Sequence, residues 1–191
     1  MFSFFVGHQL KMIGRLFAIL LFSFAALILP FAAKASETKP ISETYSASLW
    51  PMAAPPFLFT DASGQSQIKL SDFKGRWVLL NIWATWCPYC AAEMPSLDQL
   101  QEKMGDRLVV LPVSVEKNGT TAVPGFYRRH GIARLPVAVD PDGSAWRLFR
   151  VRAIPSTYLI DPDGKIRGVF YETADWSSSD SLSFIEKTVS R

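Results

Sequence analysis

An α/β sandwich around a mixed central sheet is the fold class this 191-residue sequence predicts, and three observations predict it. Apolar runs of strand length alternate with stretches of helical period. The last two apolar runs flank "DPDG", Asp161 to Gly164, which reads as a hairpin turn and makes part of the sheet antiparallel. Once an N-terminal leader is set aside, roughly 155 residues remain, the size of one domain.

The leader is the first element. "KMIGRLFAILLFSFAALILPFAAKAS" places Lys11 and Arg15 before an apolar run from Leu16 to Ala33 and ends on Ala33-Lys34-Ala35. A basic stretch, an apolar stretch and a small-x-small site read as a secretory signal over residues 1–35. The alternative is an uncleaved membrane anchor formed by residues 16–33, because that run approaches the ~20 residues a span needs. Pro30 and the small-x-small site favour cleavage. Either outcome puts the remainder in an exported, oxidising compartment. Without Lys11, Arg15 and Lys34, the 20 basic side chains fall level with the 17 acidic ones. That balance excludes the clustered basic excess of a nucleic-acid binder. Residues 36–54 are rich in Ser, Thr, Ala and Pro and read as a linker to a domain over 55–191.

"RWVLLNIW" is the apolar run of a buried central strand. The pattern then changes to "CPYCAAEMPSLDQLQEKM", with Met94, Leu97, Leu100 and Met104 at helical spacing. Pro88 suits the first turn of that helix, where its missing N–H costs nothing. "RLVVLPVSV" (Arg107 to Val115) reads as a second buried parallel strand, and "TAVPGFYRRHG" as a helix with cations in its last turn and Gly131 ending it. "LPVAVDPDGSAWRLF" gives a short strand, a turn and a helical turn; "SLSFIEKTV" is the closing helix. Trp83 and Phe73 read as core.

The chain has two cysteines, Cys87 and Cys90. As a structural staple the pair is poor, since closing so short a loop stabilises by only ~2 kcal/mol before strain. A structural zinc site wants four Cys or His ligands, and beyond the leader the sequence adds only His130, placed to cap a helix. A two-thiolate Cu(I) site stays open, because thiolates select that ion. Position favours a redox pair. Cys87 falls where a strand ends and a helix starts, so unpaired N–H groups and the helix dipole stabilise its thiolate. C-x-x-C thiols at helix starts have pKa values of ~3.5 to ~7. Cys87 is then expected to be an exposed nucleophile, and Cys90, one turn deeper, the resolving thiol.

"WATWCPYC" followed by Pro95 resembles the active-site helix of the thioredoxin-like superfamily, which implies a three-layer sandwich. "RAIPSTYLIDPDGKI" resembles the segment carrying that superfamily's cis-proline, which implies a cis Ile154-Pro155 bond beside the cysteines; base rates alone favour trans. The likeness narrows to the TlpA/ResA/DsbE-like exported branch, over roughly Pro55 to Arg191. "PPFLFTDASGQSQIKLSDFKGRWVLLNIWATWC" resembles its added N-terminal β-hairpin, and "CAAEMP" its sequence after the motif. The resemblance implies that Glu93 is the active-site carboxylate, with Asn81 where thioredoxins keep a buried aspartate. Glu93 and Cys90 share one helical face; a solvated acid near the helix start is the alternative. Pro88-Tyr89 is a glutaredoxin-like dipeptide and departs from the branch, which bears on redox poise. Trp86, Pro88, Tyr89 and Ile154 are the expected partner contacts; for Trp86, ordinary packing is an equal alternative.

The resemblance implies a periplasmic thiol-disulfide oxidoreductase that reduces protein disulfides in cytochrome c maturation or cytochrome oxidase assembly. It needs no cofactor, and its electrons would come from a membrane thiol relay. C-x-x-C proteins on this scaffold span about −270 to −120 mV, so a disulfide-forming oxidant or isomerase is the nearest alternative, and a non-catalytic Cu(I) carrier the alternative of another class. A peroxidase reading lacks the P-x-x-x-T-x-x-C arrangement around Cys87.

Overall fold

The computed structural model describes residues 39–190, so the expected signal lies outside the described residues. Two strands form the middle of the molecule. β4 (Trp77–Trp83) and β5 (Leu108–Ser114) run parallel, in register from Trp77 opposite Leu108 to Trp83 opposite Ser114. Their Val- and Leu-rich sequences are buried on both faces, as a central parallel pair requires.

The remaining strands are β1 (Tyr45–Ala53), β2 (Leu58–Thr60), β3 (Gln67–Lys69), β6 (Ala138–Val139), β7 (Ser156–Ile160) and β8 (Lys165–Phe170). The sheet order is β1-β8-β7-β4-β5-β6-β2-β3. β6 is parallel to β5, whereas β7, β8, β1, β2 and β3 pair antiparallel with their neighbours. The sheet is mixed, as expected. The Asp161–Gly164 turn joins β7 to β8, with Gly164 N–H donating to Asp161 O at 2.8 Å. The hairpin β2–β3 extends the far edge beyond β6.

The helices are α1 (Ile41–Thr44), α2 (Pro88–Met104), α3 (Gly119–His130), α4 (Ser144–Leu148) and α5 (Ser179–Val189). Met94, Leu97, Leu100 and Met104 of α2 are all buried in one apolar cluster, together with Trp83, Phe126 and Trp176. A second cluster, with Phe57, Leu80, Ile82 and Tyr158, fills the opposite face of the sheet. α3 ends on Gly131 in the left-handed region (φ 67°) after Arg128, Arg129 and His130.

The segment expected to be a linker carries structure in its described part. Ile41 is buried, and β1 pairs with β8 from Tyr45 opposite Phe170 onward. The Tyr45 ring explains this docking: it packs 4.8 Å from Phe170 and 4.9 Å from Phe184. It also lies over Gly168, where any Cβ would collide with the ring. A run of Ser and Ala hides this strand in the sequence because one aromatic side chain and a glycine on another strand anchor it. Phe73, expected in the core, is only partly buried against the second cluster.

Candidate active site

The end of β4 delivers the chain to the start of α2 through Ala84, Thr85 and Trp86. Cys87 is the N-cap, with extended backbone (φ −89°, ψ 111°), and Pro88 occupies the first helical position. The Cys87 sulfur accepts the N–H of Cys90 at 3.1 Å, so it takes the place of a capping oxygen. Cys87 and Cys90 are joined as a disulfide across this first turn, with Cα atoms 5.3 Å apart. The bond therefore sits where an arriving negative charge meets free helix N–H groups.

Ile154-Pro155 is cis and lies against the pair. The Ile154 carbonyl oxygen is 3.7 Å from Cys87 Sγ, and Ser156 Oγ donates to Ala153 O at 2.7 Å, bracing the turn. One expectation needs correction. Cys87 was expected to be exposed, yet it is only 4 % exposed with the disulfide closed. Its sulfur turns inward to receive the Cys90 N–H, beside the Ile154 carbonyl. What reaches solvent here is aromatic: Trp86 is 64 % and Tyr89 71 % exposed. Trp86 is thus no core residue. Pro88 is exposed too, while Ile154 is partly buried.

Glu93 lies one turn beyond Cys90, and both are buried. Its Oε1 accepts from Asn81 Nδ2 at 2.8 Å; its Oε2 accepts from Trp176 Nε1 at 3.2 Å and Ala174 N–H at 3.3 Å. All three donors are neutral. Burial therefore dominates and raises the Glu93 pKa to about 7, although the bonds from Trp176, Ala174 and Asn81 pull it down. A carboxyl that titrates near neutrality can take or return a proton under ordinary conditions. Asn81 also donates to Thr157 Oγ1 at 2.9 Å, which ties β4 to β7 behind the pair. The alternative of a solvated Glu93 does not fit this geometry.

Three contributors were not legible beforehand. Trp176 stands in a Ser-rich loop before α5, and no local pattern links it to Glu93, 83 positions away. Thr157 shows only as a strand residue. Glu116 follows β5, is buried, and accepts from Thr85 Oγ1 at 3.0 Å through Oε2, while its Oε1 has no protein partner among the described residues.

A family model for AhpC/TSA matches residues 52–169. The chain belongs to the AhpC/TSA family. Within it, the sequence is 37% identical over 113 residues to the thiol-disulfide oxidoreductase ResA of Bacillus thuringiensis subsp. konkukian, covering 59% of this chain and 64% of that protein. Against ResA of Bacillus subtilis the figures are 35% over 114 residues, 59% and 62%. The matches thus span somewhat less than two thirds of these relatives. Among solved structures, a putative thiol:disulfide interchange protein DsbE from Chlorobium tepidum aligns with a TM-score of 0.62 at 28% identity, covering 76% of this chain and 98% of that one. The exposed lipoprotein thioredoxin of Streptococcus pneumoniae aligns at 0.58 and 29%, covering 71% and 98%. The thioredoxin-like sandwich and the ResA/DsbE-like resemblance hold for this AhpC/TSA member.

Proposed function

We propose that this protein is an exported thiol-disulfide oxidoreductase acting as a reductant of protein disulfides. The observation that carries the reading is the Cys87–Cys90 bond across the first turn of a helix, with a buried proton-holding Glu93 three residues further on. The names of the ResA and DsbE relatives support the same chemistry. Export is supported by the leader sequence and by the exposed lipoprotein among the structural neighbours.

In the reduced protein, the Cys87 thiolate attacks one sulfur of a substrate disulfide. A mixed disulfide forms and the other substrate sulfur leaves as a thiolate. Cys90 then gives its proton to Glu93 and attacks Cys87 Sγ, releasing the second substrate sulfur. Two electrons have passed to the substrate, and the Cys87–Cys90 bond is restored. A dithiol donor, proposed to be a membrane thiol relay, reduces that bond for the next cycle. Neighbouring N–H groups stabilise Cys87 as attacking and as leaving thiolate. Cytochrome c maturation or cytochrome oxidase assembly is the proposed setting, where apo-protein cysteines must be reduced before haem or copper is loaded.

Replacement of Cys90 by Ser tests the exchange chemistry. The variant is expected to leave Cys87 joined to its substrate as a stable mixed disulfide, visible on non-reducing gels and lost with dithiothreitol. Absence of any such adduct in cells, with the variant folded and exported, would count against exchange. An adduct with an oxidising relay in place of reduced substrates would reverse the direction.

A further inference from the structure

Beside the cis-proline loop lies a groove of about 850 Å³ that the exchange chemistry does not use. Its deeper lining is apolar, from Tyr158, Ile166 and Val169; Met52 and Tyr171 are exposed at its edges. Arg150 and Arg152 are its charged lining residues, and among the described residues no acidic side chain lines it. The groove adjoins the disulfide through both bordering loops. Ala153 lines it and precedes Ile154, whose carbonyl lies 3.7 Å from Cys87 Sγ. Tyr171 lines it and precedes Thr173, whose hydroxyl donates to Tyr89 O at 3.5 Å.

Three features of the arginines stand out. From Gly143 to Ile160 the sequence holds Arg147, Arg150 and Arg152 and no acidic residue, although basic and acidic residues beyond the leader are equal in number. Neither Arg150 nor Arg152 forms an ion pair among the described residues. Arg150 also has φ 53°, the one non-glycine among the described residues with positive φ. It follows α4 at a position where glycine is the unstrained choice. A long cation kept in a strained backbone position, exposed and unpaired, points away from a role in the protein's own packing.

We propose that this groove docks an acidic segment of the substrate protein, its carboxylates against Arg150 and Arg152 and an apolar side chain on Val169 and Ile166. The inference rests on the redox reading for why the site matters, but docking is measurable without turnover. A concave apolar slot beside the cis-proline loop suits a peptide segment better than a flat anionic surface, and like charges suppress basic partners.

The test uses the full chain and three labelled peptides of equal length, free of cysteine: acidic with one leucine, its neutral amide counterpart, and a basic one. Anisotropy titration of the oxidised protein at low salt is expected to show about tenfold tighter binding of the acidic peptide than of the neutral one, shrinking as salt screens the charges. Arg152→Glu should bring that ratio to one or below. Arg150→Gly should lower it as well while leaving the fold at least as stable, because glycine relaxes the left-handed position. Arg129→Glu, on exposed α3, should leave the ratio unchanged. Equal binding of all three peptides, or a preference that survives both groove variants, would overturn the proposal. So would Arg152-dependent binding to phosphatidylglycerol vesicles without selectivity among peptides. Exchange with the small neutral 2-hydroxyethyl disulfide is followed in parallel. Its absence would remove the redox reading, while the binding ratio still decides the groove.

Discussion

Glu93 and Asp98 are both buried carboxylates on α2, five residues apart, and they are held in opposite ways. Asp98 has a cation: Arg134 Nη1 donates to its Oδ2 at 3.0 Å. Its Oδ1 accepts the backbone N–H groups of Ala133, Arg134 and Leu135 at 3.1, 2.6 and 3.2 Å. That is a fastening, which pins the turn after α3 to the helix. Glu93 has three neutral donors and, among the described residues, no cation. Its negative charge is therefore poorly matched, and its pKa rises to about 7. Burial is common to both; the partner set separates a carboxylate fastened by a cation and three backbone donors from one whose buried charge meets only neutral donors.

The sharpest break of this contrast is Asp98→Ala. It leaves three backbone N–H groups without their acceptor and removes one of the two carboxylate partners of Arg134; the orphaned N–H groups are expected to cost about 4 kcal/mol of stability by urea unfolding. A loss below the size of a surface substitution would deny Asp98 its fastening role.

Glu93→Gln acts through pH. The folded pKa of Glu93 lies above its unfolded value of 4.5, so the native state holds the extra proton between about 4.5 and about 7. Stability from this group is full below the lower value and is lost as pH rises through the upper one. That pKa difference corresponds to about 3 kcal/mol. Oxidised Glu93→Gln should lack this decline, so its stability relative to the parent should improve between pH 5 and pH 8. A parallel pair of stability curves would contradict the neutral-donor account. In the reduced protein the same variant should alter the pH profile of Cys87 and Cys90 alkylation.

Trp176→Phe is the smallest of the three. It removes one donor to Glu93 Oε2 and should destabilise the protein by about 1–2 kcal/mol. Because that bond lowers the Glu93 pKa, its loss should move the midpoint upward. A downward movement would mean that solvent had entered the site.

Sequence reading reached what local pattern encodes. Apolar runs and helical spacing located β4, α2, β5 and α3, and "DPDG" placed the β7–β8 turn. The cysteine pair is readable because a strand end and a helix start meet there, whereas Glu93 is singled out only by the resemblance of "CAAEMP" to the exported branch. β1 was not readable: its place depends on Tyr45 packing against Phe170 and Gly168, more than a hundred positions on. Spacing does not reveal which way a cap side chain turns, so the sequence suggests an exposed Cys87 where the structure buries it. Trp176 was missed for the same reason as β1, since its partner is remote in sequence. Asn81 was noted by position, but its two bonds to Glu93 and Thr157 require the register between β4 and β7.

The proton held by Glu93 is most directly read by carbon NMR of the glutamate side-chain carboxyls, titrated in the oxidised protein and assigned with Glu93→Gln. The account predicts a Glu93 midpoint near pH 7, well above the other glutamates. A midpoint near 4.5, with its signal among theirs, would contradict it.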